Sequence, residues 1–183
     1  MTGNSCSVTV SILAGGRSTR MGREKCRLRI GTQSMLGHAR HLAQQLGLPV
    51  RVIRRDLVPR CGPLGGVLTA LRASKTDADL FLACDMPFVT PALLKRVLSR
   101  LRRGCRAVFT QVDGVAGFPF ALRGDCLPVV ERQIERGALS LQAFAKTLRA
   151  ARVSPTRTET SQTFNVNTPS EFKEARARKS AER

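Results

Sequence analysis

The chain has 183 residues, and 31 Lys+Arg against 13 Asp+Glu give it a formal net charge of +18. A single domain of that length buries an adequate core without disulfide or metal staples, and the charge requires an anionic partner: nucleic acid, a membrane surface or phosphorylated small molecules. Eight Phe with no Trp and no Tyr argue against a single-strand nucleic-acid binder, which needs stacking platforms.

No stretch approaches the ~18 apolar residues of a membrane span. The N-terminus lacks the charged and apolar regions of a signal peptide. The six cysteines (Cys6, Cys26, Cys61, Cys84, Cys105 and Cys126) contain no C-x-x-C pair, which argues against zinc. They read as reduced, mostly buried thiols of a cytoplasmic protein.

In chain order, Ser7 to Ile12 alternates Val8, Val10 and Ile12 with small polar residues, as a half-buried strand does. It runs into Leu13-Ala14-Gly15-Gly16-Arg17-Ser18-Thr19-Arg20-Met21-Gly22-Arg23-Glu24-Lys25. Glycines let backbone N–H groups turn inward and a phosphate approach closely, and the interleaved Arg17, Arg20, Arg23 and Lys25 neutralise it. The spacing is that of neither G-x-x-x-x-G-K-[ST] nor G-x-G-x-x-G. The bland alternative is a glycine-rich turn with solvated basic residues.

Leu28 and Ile30 predict a short extended piece. Leu36, Ala39, Leu42, Ala43 and Leu46 recur at helical spacing over Met35 to Leu46, with Gly47 as the stop. His38 and His41 share that helix but have no nearby ligand partner in the sequence. Leu48 to Ile53 predicts a second strand, followed by Asp56 and a second glycine cluster, Gly62-Pro63-Leu64-Gly65-Gly66, which opens a helix from Val67 to Ala73. Asp79 to Cys84 is a near-continuous apolar run, as expected of a central parallel strand. It ends on Asp85, where a carboxylate is well placed to hold a hard cation over a phosphate, or merely to make a turn before Pro87.

Thr90 and Pro91 predict an N-cap and first position for a helix carrying Leu93, Leu94, Val97, Leu98 and Leu101, ended by Gly104. Strands are expected at Ala107 to Thr110 and Phe118 to Leu122, with a hairpin turn at Val112-Asp113-Gly114 between them. Helical stretches are expected at Leu127 to Glu135 and Leu139 to Leu148. Near the end stands Phe164-Asn165-Val166-Asn167-Thr168-Pro169-Ser170-Glu171, where Thr168 and Glu171 have capping-box spacing.

Together these stretches resemble the molybdenum cofactor guanylyltransferases, within the nucleotidyltransferases that act on molybdopterin and on sugar phosphates. The matching motifs are L-A-G-G-x-S-x-R-M-G-x-x-K, G-P-L-[AG]-G, C-D-x-P and N-[VI]-N-T-P, in the family's order. The resemblance implies a Rossmann-like three-layer α/β/α sandwich with a mostly parallel central sheet, of the nucleotide-diphospho-sugar transferase type. It implies one nucleotidyltransferase domain over residues 1–175 and a basic tail over 176–183, the tail being a solvated helix end or disorder.

The implied reaction transfers GMP from GTP to molybdopterin and releases pyrophosphate. Lys25, Arg20 and Asp85 are the implied catalytic residues, with Asp85 the Mg²⁺ ligand. Leu13, Ala14, Gly15, Gly16, Lys25, Asp56, Gly62, Pro63, Leu64, Gly65 and Asp85 are implied at the nucleotide, and Asn165 and Asn167 near the phosphates and the second substrate. The region after residue 106 is the expected acceptor-facing side. Both glycine motifs lean toward GTP over CTP. Compared with the family pattern, one strand–helix unit between the Met35–Leu46 helix and Gly62 is missing, and with it the nucleotide-contacting asparagine. The alternatives are a nucleotidyltransferase using CTP or acting on another phosphorylated substrate such as a sugar phosphate, a non-catalytic nucleotide-binding homologue, and a basic nucleic-acid module. Specific nucleic-acid and membrane partners are not expected, whereas proteins that deliver or accept the cofactor are compatible with the pattern.

Overall fold

The computed structural model describes residues 6–15, 25–157 and 159–181. Its centre is a six-stranded sheet in the order β4-β1-β5-β7-β6-β8, comprising β1 (Val8–Leu13), β4 (Val50–Ile53), β5 (Ala78–Ala83), β6 (Ala107–Val112), β7 (Val115–Arg123) and β8 (Ala151–Val153). β1 pairs in parallel with both β4 and β5, and β6 with β8; β7 alone runs the other way. Five of the six strands therefore share one direction, as expected of a mostly parallel sheet. β2 (Arg29–Ile30) and β3 (Gln33–Ser34) form a separate small hairpin.

Two layers of helices cover the sheet because the helices flanking it each have an apolar face to bury. α1 (Met35–Gln44) and α3 (Pro91–Arg102) pack on one face over Val8, Val10, Ile12, Leu80 and Leu82. α2 (Pro63–Ala73), α4 (Leu127–Glu135) and α5 (Leu141–Thr147) pack on the other over Phe81, Phe109, Phe120 and Leu122. There the rings of Phe81, Phe120 and Phe109 stack at 4.8 and 4.5 Å, and Phe144 of α5 meets Phe109 edge-on at 6.1 Å. A third, smaller core of Ile30, Met35, Val166 and Ala175 joins the β2–β3 hairpin to α6 (Pro169–Ala181).

Several boundaries differ from the sequence expectation, each for a physical reason. α2 begins at Pro63 rather than Val67, because Gly62, at φ 54°, makes the turn alone and Pro63 is preset for a first helical position. Leu64, Gly65 and Gly66 are therefore helical. Thr90 does stand at the N-cap of α3, but its hydroxyl donates to Gln162 Oε1 at 2.8 Å instead of capping. Asp113 and Gly114, at φ 47° and 80°, make the expected two-residue hairpin turn, and both strands extend to meet it. β8 and β3 were not expected. α6 continues through residue 176 as one helix to Ala181.

Candidate active site

The carboxyl ends of β1, β4 and β5 converge, and two groups of predicted residues are assembled there. The first gathers around Asp56. β1 is held at its end on both sides: Ala14 N–H donates to the Ile53 carbonyl at 2.8 Å, and Cys84 N–H to the Leu13 carbonyl at 3.3 Å. Past β4 the chain turns back so that Asp56 lies between Gly15 and the first turn of α2. A methyl group at Gly65 would sit 2.9 Å from both Asp56 Oδ2 and the Val58 carbonyl oxygen, and one at Gly15 would sit 3.1 Å from the Arg54 carbonyl oxygen and 3.6 Å from Asp56 Oδ1. At Gly66 it would meet the Leu13 methyls at 3.1 Å. These glycines are needed for close approach between β1, Asp56 and α2. Thr69 secures the turn, taking the Leu57 N–H at 2.9 Å and giving its proton to the Gly65 carbonyl at 2.7 Å. Burial pushes the Asp56 carboxyl above its ordinary pKa.

The second group brings Lys25, Asp85 and Asn167 together from three distant parts of the chain. Lys25 opens a single 3₁₀ turn, Lys25–Arg27. Its Nζ donates to Asn167 Oδ1 at 2.6 Å and lies 3.7 Å from Asp85 Oδ2. The segment bearing Asn167 docks on the end of β5, where Val166 N–H donates to the Asp85 carbonyl at 2.9 Å. Burial raises the Asp85 carboxyl pKa, and the Lys25 charge opposes this only in part.

Glu171, in the first turn of α6, accepts the main-chain N–H groups of Asn167 and Thr168 on one oxygen, at 2.7 and 2.8 Å. Its own N–H donates to Thr168 Oγ1 at 3.2 Å, which completes the capping box. The Asn167 amide, followed by the Thr168 groups and the Lys25 charge, holds the Glu171 carboxyl below its ordinary range. Cys84, beside Asp85, is no nucleophile: burial pushes its thiol up to about 12, so it stays protonated at neutral pH.

Other predicted residues fall elsewhere. Leu64 is fully buried against the Phe81 core, so only its main chain is available to a ligand. Gly62 and Pro63 stand at the start of α2, and Asn165 is exposed two residues before Asn167. Gly16 and Arg20 lie outside the described residues. Glu171 is the site residue that the motif reading passed over; its only sequence signal is the capping-box spacing.

Among the described residues no three His, Cys, Asp or Glu side chains converge on a metal position. Asp85 alone nevertheless suits Mg²⁺, which takes one or two carboxylates and completes its shell with substrate phosphates and water. A carboxylate, a lysine and a carboxamide at the end of a parallel sheet, beside a glycine-lined acidic niche, can bind a nucleotide and stabilise charge moving between phosphates.

Comparison with known proteins points to one family. The model of a family described as "MobA-like NTP transferase domain" matches residues 10–56 and 40–153. The molybdenum cofactor guanylyltransferase of Xanthomonas euvesicatoria is 31% identical over 176 residues, covering 88% of this chain and 90% of that protein. A "Probable molybdenum cofactor guanylyltransferase" of Opitutus terrae is 30% identical over 166 residues, covering 81% and 82%. Among solved structures, the molybdopterin-guanine dinucleotide biosynthesis protein A of Archaeoglobus fulgidus superposes with a TM-score of 0.74 at 21% identity, over 94% of this chain and 99% of that one. The 2-C-methyl-D-erythritol 4-phosphate cytidylyltransferase of Thermus thermophilus follows at 0.70 and 17%, over 95% and 99%. At these identities the two structures speak for the fold.

Proposed function

The chain belongs to the MobA-like NTP transferase family, and from this we propose that it transfers GMP from GTP to molybdopterin, giving molybdopterin guanine dinucleotide and pyrophosphate. The observation that carries the reading is the meeting of Lys25, Asp85 and Asn167 beside the Asp56 niche. An oxygen of the molybdopterin phosphate attacks the α-phosphorus of GTP in line. The bond from that phosphorus to the oxygen bridging to the β-phosphate breaks, and pyrophosphate leaves with the electron pair. The nucleophile is already an anion, so neither a covalent intermediate nor a general base is required.

The protein's work is then positioning and charge neutralisation. The Lys25 ammonium meets the phosphates as a compact charge; the Ala14 N–H is already spent on the Ile53 carbonyl, so the phosphate-facing amides of the reading begin at Gly15. Gly16 and Arg20 extend that phosphate-binding role in the reading. Asp85 would hold Mg²⁺, which when bound neutralises phosphate charge. The Asp56 carboxylate and the first turn of α2, from Gly62 to Gly65, face the base. A carboxylate suits guanine, whose N1–H and exocyclic amine are adjacent donors. Asn165 and Asn167 flank the phosphates and the acceptor. Among the described residues no helix is long and apolar enough to cross a membrane, and all six cysteines are unpaired; the reading places the enzyme in the cytoplasm.

Calorimetric titration with GTP, CTP and ATP, with and without Mg²⁺ and at moderate salt, tests this. The expected result is selective, Mg²⁺-assisted binding of GTP that is lost in Asp85→Ala, together with pyrophosphate release when molybdopterin is added. Equal, weak and salt-sensitive binding of all three nucleotides would overturn the assignment.

A further inference from the structure

We infer that Glu171 is a positioning residue for the transfer step: it fixes the Asn167 carboxamide that holds the Lys25 ammonium beside Asp85. The inference rests on the proposed reaction for its kinetic consequence, but its geometry stands independently.

Lys25 and Asn167 lie 142 residues apart, yet both are mounted on one small apolar platform. From Lys25 the chain passes through its 3₁₀ turn, with Leu28 N–H on the Lys25 carbonyl at 3.0 Å, into the hairpin that buries Ile30. Asn167 follows Val166 and precedes α6, which buries Ala175; Ile30, Met35, Val166 and Ala175 form one cluster. The platform places the two segments but leaves the rotation of Asn167 open. Glu171 settles it. One carboxylate oxygen takes the N–H groups of both Asn167 and Thr168, so the Asn167 peptide cannot rotate without losing a charge-assisted hydrogen bond. The side chain is thereby presented to Lys25 at 2.6 Å. A neutral carboxamide orients the ammonium without cancelling its charge, which a third carboxylate in that place would do. The 3.7 Å separation from Asp85 keeps Lys25 near the metal-binding acid but out of a close ion pair with it.

Three substitutions separate this role from ordinary helix capping. Glu171→Ala removes both bonds to Asn167 and Thr168. Glu171→Gln keeps an oxygen able to accept them. Thr168→Ala removes the other half of the capping box, the bond from the Glu171 N–H, and leaves Asn167 anchored. Glu171→Ala and Thr168→Ala are expected to lower the unfolding midpoint alike. Only Glu171→Ala should lower kcat for GMP transfer, by roughly 10- to 100-fold, the scale of a small misplacement at a reacting centre. Its KM for GTP should change less than about threefold, and Glu171→Gln should recover most of the rate. Should Glu171→Ala fail to fold, Glu171→Asp, one methylene shorter, asks the same question.

A second readout needs no activity. The Lys25 ammonium resonance, observed in ¹⁵N-lysine-labelled protein and assigned with Lys25→Arg, should persist in the parent, Glu171→Gln and Thr168→Ala proteins and vanish into exchange in Glu171→Ala. The inference is overturned if Glu171→Ala keeps both its kcat and that resonance. It is also overturned if kcat falls in Thr168→Ala as it does in Glu171→Ala, or if Glu171→Gln is as slow as Glu171→Ala. A parent protein that transfers no GMP would defeat the proposed reaction instead, and the resonance would still decide the role of Glu171.

Discussion

Lys25 and Asp85 face each other at 3.7 Å with side chains only 19% and 25% exposed, so each works where water screens little. Replacing either with alanine should lower the rate of GMP transfer at least ~100-fold, the scale of losing one preorganised electrostatic contact. Single-turnover release of pyrophosphate measures this, and near-parental turnover in either variant would remove that residue from the chemistry. These two stood out in the sequence because the roles proposed for them belong to side chains in a fixed motif: a lysine after a glycine-rich loop and an acid ending a central strand. Glu171 was not, because it acts on main-chain amides, and the spacing that reveals it is shared by many helix starts. Leu64 shows the reverse case. It stands in a glycine motif beside the niche, but its side chain belongs to the core.

At the scale of the elements, β5 carries a liability. Asp79 is the second residue of an otherwise apolar strand and is fully buried. Ser11 Oγ donates to its Oδ1 at 2.7 Å, and its Oδ2 has no hydrogen-bond partner among the described residues. Burial raises its pKa, and the Ser11 hydroxyl and the Arg51 charge do not offset this. The folded chain therefore holds the proton more tightly than the unfolded chain, whose carboxyl titrates near 3.9. The stability this contributes is full below about pH 4 and is lost as pH rises through the folded value. Asp79→Asn keeps an acceptor for Ser11 and removes the charge. Relative to the parent, it should gain on the order of 1–3 kcal/mol between pH 4 and pH 7, the cost of an incompletely paired buried group. Urea unfolding of both proteins at the two pH values checks this, and a constant difference would refute it. The strand itself was plain from its apolar run, but the burial of its one acid was not, since an aspartate at a strand end is ordinarily solvated. β8 escaped notice for a related reason: three residues pair with β6 only because the sheet is already there.

Over the whole molecule, the layer order and the near-uniform strand direction are those that the motif resemblance implied, and the alternating strand and helix signals fit them. The antiparallel β7 followed from the hairpin turn at Asp113-Gly114. Only one strand, β4, stands between α1 and α2, as the shortened spacing predicted; it forms the sheet's edge. The charge of +18 acts at this scale too. It raises the local concentration of polyanionic substrates and should do so without choosing among them. Raising NaCl from about 50 to about 500 mM shortens the screening length several-fold. The KM for GTP should therefore rise markedly while kcat changes little, in a steady-state series at fixed Mg²⁺. A kcat that falls with an unchanged KM would show that the surface charge acts on the chemistry rather than on encounter.

The separation of Lys25 from Asn167 also sets an order of assembly. On a growing chain the residues of the Asp56 niche are all present once Thr69 has emerged, and β5 delivers Asp85 soon after. The carboxamide that steadies Lys25 arrives only with the last few dozen residues, by closing the longest loop in the centre, whose entropic cost the Ile30–Ala175 platform must offset. In the proposed reaction a half-made chain would thus gather the groups assigned to the base, while the lysine assigned to the phosphates still lacked the carboxamide that holds it. Chemical competence comes last, when the final helix locks down.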